Sequence, residues 1–122
     1  MAFRTIHTTY GLQRIAQAES TGIPLNLTHM AVGDGNGNPA EPTEAQTQLV
    51  RETFRAAINR VFQDPGNPRR FTAELLVPSN VGGFTIREVG IFDADGSLFA
   101  VANTPPAYKP TALEGAFSDG VY

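Results

Sequence analysis

An α+β, β-rich fold is predicted, with an N-terminal helix packed on a small antiparallel sheet or sandwich of hairpins and an extended C-terminal arm. Three observations carry it. One short helical period lies near the N-terminus, strand-like alternation recurs later, and 12 Gly and 9 Pro punctuate the chain. The 122 residues suffice for one hydrophobic core and rarely for two. Hydrophobic content of 41% with 17% charged residues is that of a chain that folds in water, not of a disordered one.

Thr8 or Thr9 can cap a helix in which Leu12, Ile15 and Ala16 recur at i, i+3 and i+4, and Gly22 and Pro24 stop it. Residues 25–32 form an apolar run compatible with a strand. It ends in GDGNGN (residues 33–38), which holds no regular structure. Residues 44–62 fit two periods at once. Ala45, Leu49, Phe54, Ala57, Ile58 and Val61 fall on a helical period, whereas Phe54, Ala56, Ile58 and Phe62 share a strand face. The assignment is a helical turn or two over residues 43–50, then a strand over 54–63 leading into the turn DPGNP (residues 64–68).

Phe71, Ala73, Leu75 and Val77 alternate with Thr72 and Glu74, which predicts a strand with one face to solvent. Residues 84–92 and 98–101 read as a hairpin closed by Asp93-Ala94-Asp95-Gly96. Inside its first strand the apolar phase changes. Phe84 and Ile86 point one way and Val89 and Ile91 the other, with Arg87 and Glu88 at the switch. A bulge there, or two covered faces, would account for it. Pro105, Pro106 and Pro110 then impose an extended path, and residues 112–122 show no period.

The sequence assembles no catalytic, metal or cofactor site. With 9 basic residues against 12 acidic ones, scattered along a chain of net charge -3, no electropositive stripe awaits a nucleic acid. No run approaches a membrane span and no secretion signal opens the chain. The absence of cysteine excludes disulfides, thiolate metal sites and a cysteine nucleophile. Asp34, Asn36 and Asn38 have the 1-3-5 spacing of a calcium loop, but Pro39 stands where its turn needs Gly and Ala45 where a bidentate Glu closes the shell. Gly33, Gly35 and Gly37 lack the Lys and Ser/Thr of a phosphate loop. His7 and His29 have no motif partner, and Asp93 and Asp95 read as turn formers. Arg87 and Glu88 need partners, because charges in an apolar strand are costly when unpaired. They form an internal ion pair or meet solvent at a bulge, or else they pair across a subunit or docking interface.

Four stretches together resemble one family: HMAVGDGNG (residues 29–37), RAAINRVFQDPGNP (55–68), GGFTIREVGIFDADG (82–96) and LFAVANTPPAYKP (98–110). They are similar to the N-terminal domain of tail fibres from P2-like phages and R-type pyocins, the tail-collar fibre proteins, from about residue 7 to 115. Relatives often carry Trp where Thr85 stands and Cys where Thr104 stands, and they continue past Tyr122. The resemblance implies a non-enzymatic attachment module, residues 1–110, with residues 111–122 as an arm leading to a fibre shaft. It implies a homotrimer docked on a baseplate wedge protein of a contractile tail, in a phage or pyocin particle made in the bacterial host cytoplasm. The residues expected at the partner interface are Arg87, Glu88, Tyr108, Lys109, Phe117 and Tyr122. Two other functional classes compete. One is a small cell-wall hydrolase using His7, His29, Asp34, Asp93 or Asp95, and the other is a calcium- or carbohydrate-binding β-domain built on residues 34–38.

Overall fold

A computed structural model describes residues 3–22, 25–110 and 120–121. An antiparallel sheet of five strands in the order β1-β8-β7-β2-β3 forms the body. Its strands are β1 (Thr5–His7), β2 (Leu27–Gly33), β3 (Glu52–Ala57), β7 (Phe84–Asp93) and β8 (Leu98–Lys109). Two short ribbons complete the strands among the described residues. One pairs β4 (Arg60–Asp64) with β5 (Asn67–Glu74), and the other pairs β6 (Leu76–Val77) with β9 (Gly120–Val121). The β-rich α+β fold is therefore present. Of the expected arm, residues 120–121 form β9, and the rest lies outside the described residues.

The helix α1 (Thr9–Thr21) begins and ends where its capping residues predict. The Thr8 hydroxyl accepts from the Gly11 amide at 3.0 Å and donates to the Leu98 carbonyl at 2.6 Å, so the cap also ties the helix to β8. Gly22 closes the other end in the left-handed region, at φ 74°. Ile15 packs on Phe99 and Ala100. The helix approaches so closely that a Cβ on Gly11 would lie 2.1 Å from the Phe99 carbonyl oxygen.

Strand register sorts the apolar residues between two faces. Met30 stands opposite Ile91 and Val32 opposite Val89, so these four share the front face, while Ala31, Gly90 and Val101 share the back. A bulge between Ile86 and Glu88 resolves the phase change in β7, because one out-of-step residue returns Phe84 and Ile86 to the face of Val89 and Ile91. Leu75 and Val77 cover much of this front face. On the back, Leu49 packs with Phe92, Leu98 and Val101. The Arg55 guanidinium lies 3.8 Å from the Phe92 ring centroid.

Residues 43–64 differ from expectation. The helical turns assigned to 43–50 reduce to one reversal in which the Gln46 amide donates to the Thr43 carbonyl at 3.2 Å. Leu49 is drawn into the back-face core instead, and the amides after it serve a side chain described below. The single strand assigned to 54–63 is two strands in two sheets. At the break the Ile58 amide still bonds the Thr28 carbonyl of β2, but the Asn59 amide bonds the Glu74 carbonyl of β5. A change of partner, invisible in a period, divides the segment.

The β7–β8 turn follows expectation. Asp93 Oδ1 accepts from the amides of Asp95 and Ser97, each at 3.1 Å, and Gly96 takes φ 81°. The Tyr10 hydroxyl donates to Asp93 Oδ2. That bond is the main cause that raises the Tyr10 hydroxyl above its ordinary value, with burial second.

Two outcomes follow for stability. Helix propensity alone favours Gly11→Ala by about 1 kcal/mol, but the contact with Phe99 reverses the sign. Urea denaturation should find the variant destabilised by about 2 kcal/mol or more, as for overpacking against backbone. Because the folded value of Tyr10 lies above the unfolded one, its contribution is complete below about pH 10 and fades as pH rises through the folded value. Urea midpoints should thus show Tyr10→Phe less stable at pH 7, with the difference vanishing in strongly alkaline solution.

Candidate functional site

Glu88 sits in the middle of β7 and is 1% exposed. A buried carboxylate must be met by donors, and three backbone amides supply them. Val50 donates to Oε1 at 2.8 Å, and Arg51 and Gly35 donate to Oε2 at 2.9 and 3.1 Å. All three belong to the segment joining β2 to β3, so one side chain clasps both of its ends. Gly33 makes room for this, since a Cβ there would lie 2.5 Å from Glu88 Oε2 and 2.4 Å from the Arg51 carbonyl oxygen. Arg87, in the bulge, grips the same segment through the Asp34 carbonyl at 3.0 Å. The two charges bind backbone rather than each other.

Lys109 plays a similar part at the far end of β8. It is 2% exposed, and its Nζ donates to the carbonyls of Val81 and Pro110 at 3.0 and 2.9 Å. Its own carbonyl accepts from the Gly83 amide at 2.7 Å, which holds the loop before β7 against the strand. Tyr108 stands across from Thr85 and is 55% exposed, next to the exposed Pro105 and Pro106. The sequence-predicted interface residues thus fall into two places, Arg87 with Glu88 and Tyr108 with Lys109. Phe117 and Tyr122 lie outside the described residues.

Sequence reasoning missed a groove of about 300 Å³ on the front face, lined by Thr5, Met30, Val89, Ile91 and Ala102 of the sheet and by Ala73 of β5. No charged side chain lines it. The apolar alternation of β7 hinted at it, but which part of a sheet face stays uncovered depends on where α1 and β5 come to rest.

The other polar candidates serve the fold. Asp34 Oδ1 accepts from the Asn36 amide at 2.9 Å, and its Oδ2 lies 3.6 Å from Arg51 Nε. Asn36 occupies the left-handed region at φ 56°, which Asn tolerates. His7 packs edge-on against Phe99, and His29 bonds the Thr28 hydroxyl at 2.9 Å. Among the described residues no group of three or more His, Asp or Glu is placed to hold a metal ion.

A domain that uses its buried charges to hold its own loops, and that carries an apolar groove on its front face, belongs to the class of structural β-rich modules. The chain belongs to the phage tail-collar fibre protein family, whose N-terminal domain matches residues 1–122. It is a structural protein of a phage tail fibre. It is 44% identical over 115 residues to the probable tail fiber protein of Escherichia phage P2, which covers 93% of this chain and 17% of that protein. The chain therefore spans less than a fifth of that relative's length. No solved structure matches it.

Glu88→Gln keeps the shape of the side chain but turns an NH2 group towards backbone N–H donors. A loss of about 3 kcal/mol is expected, since hydrogen bonds to a charged group contribute about 1.5–3 kcal/mol and a buried donor left unmet costs more. Hydrogen exchange should localise the effect to the amides of Gly35, Val50 and Arg51, and unchanged protection there would refute this role.

Proposed function

We propose that this chain is the attachment module of a tail fibre, anchoring a homotrimeric fibre to the baseplate of a contractile tail. Family membership along the whole chain carries the reading, joined to 44% identity with the P2 fibre protein. The module works by packing and needs no catalysis. Its place is the tail of the virion or pyocin particle, at the baseplate, after synthesis in the host cytoplasm, and its partners are its own copies and a baseplate wedge protein. Nucleic acid and membrane insertion have no part in it. Host recognition falls to regions of the fibre beyond this chain.

The interface residues divide by role. Tyr108, exposed beside Pro105 and Pro106, offers an aromatic anchor of the kind that dominates binding energy at interfaces. Arg87, Glu88 and Lys109 act by holding residues 34–51 and 78–83 in the shape the partner meets. Phe117 and Tyr122 are proposed as partner-interface residues as well.

Co-sedimentation of the tagged chain with fibreless tails tests the reading. Saturable binding is expected, with Tyr108→Ala weakening it about 30-fold, the effect of losing a hot spot of about 2 kcal/mol. Absence of binding to tails or to an isolated wedge protein would rule the anchor role out. Light scattering should give the mass of three chains.

A further inference from the structure

The bulge in the β7–β8 ladder is lopsided. Between the pairs Glu88 with Asn103 and Ile86 with Ala107, β7 has only Arg87, whereas β8 has Thr104, Pro105 and Pro106. The longer side loops out. Pro105, Pro106 and Tyr108 are exposed, and none of residues 103–108 carries a charge.

Both feet of this loop are fixed. At one, the Asn103 amide donates to the Arg4 carbonyl at 3.2 Å, and Asn103 Oδ1 accepts from the Arg4 amide at 2.8 Å. At the other, the buried Lys109 holds the loop before β7, where a Cβ on Gly82 would lie 2.5 Å from the carbonyl oxygens of both Lys109 and Pro110. Between the feet the Thr104 hydroxyl donates to the Ile86 carbonyl at 3.4 Å. Each proline ring fixes its own φ and keeps the residue before it extended. The loop therefore has little conformational entropy left to lose on binding.

These features restrict the partner. Pro105 and Pro106 have no N–H, so a strand added along them would find two donors missing, and a charged surface would find nothing to pair with. What fits a rigid, extended, apolar Pro-Pro-x-Tyr segment is a groove lined by aromatic side chains, against whose faces proline rings pack. The front-face groove of a second copy does not qualify, since no aromatic residue lines it.

We infer that residues 104–108 are a preformed knob of the docking surface, and that the tail protein receiving it presents an aromatic-lined groove in which Pro105, Pro106 and Tyr108 are seated together. The inference rests on the attachment role proposed above and adds the chemistry of recognition.

Co-sedimentation with fibreless tails compares the parent with three variants: Pro105→Ala with Pro106→Ala, Pro105→Leu with Pro106→Leu, and Tyr108→Phe. The leucine pair keeps apolar bulk but loses the rings. With the far-UV circular dichroism of the parent retained, both double variants should bind at least about tenfold more weakly, as for loss of an interface anchor, and Tyr108→Phe should bind as the parent does. Pro106→Leu alone, which leaves Pro105 in place, replaces a double variant that loses the parent spectrum. If the parent binds and the leucine variant binds equally well, the partner reads bulk rather than proline rings and the aromatic groove is wrong. Equal binding by the alanine pair removes the knob itself and leaves attachment standing. A parent that binds no tails overturns attachment and this inference together.

Discussion

A connection of 18 residues between two neighbouring strands, with one 3-10 turn and no helix or strand, leaves many backbone amides without partners. The carboxylate of Glu88 answers three of them from the centre of the sheet, and its own burial is tolerable only because they answer it. Much of the back face follows from this mutual dependence. With Val50 and Arg51 fixed, Leu49 is delivered to Phe92, Leu98 and Val101. Gly90 leaves the space that Leu49 enters, since a Cβ there would lie 3.0 Å from Leu49 Cδ2. The same connection reaches the helix start, where the Glu44 carbonyl accepts from the Thr9 amide at 2.7 Å. One charged side chain thereby couples the sheet, the connection and α1.

Sealing the back leaves the front face as the side with room. There α1 and the β5–β6 segment cover the sheet incompletely, and the groove between them is apolar. One side is held by buried hydrogen bonds, and the other carries the apolar groove. Lys109 repeats the device of Glu88 with the opposite sign, binding carbonyls where Glu88 binds amides. Both charges had been expected at a partner interface. Their burial gives them a prior duty within the chain.

What the sequence by itself determined is local. The caps of α1 at Thr8 and Gly22 and the Asp93–Gly96 turn depend on neighbours a few residues away, so their signals survive without the fold. The alternation through Ala73, Leu75 and Val77 is legible in their burial, but the one strand it predicts is divided at Leu75 between β5 and β6, which pair in different sheets. Even the disturbance at Arg87 and Glu88 was legible as a bulge or a doubly covered strand. Both prove true, because β7 bulges there and is covered on its two sides.

Only the tertiary structure decided the rest. Residues 43–50 gave up their helical period because Glu88, distant in sequence, captured the amides of Val50 and Arg51. Residues 52–64 became two strands because β2 and β5 offered competing ladders. The open groove is set by how far α1 and β5 reach across a shared sheet face. Hydrogen-bond partners and covered faces are properties of segments far apart in the chain, and a period read along a single segment carries no record of them.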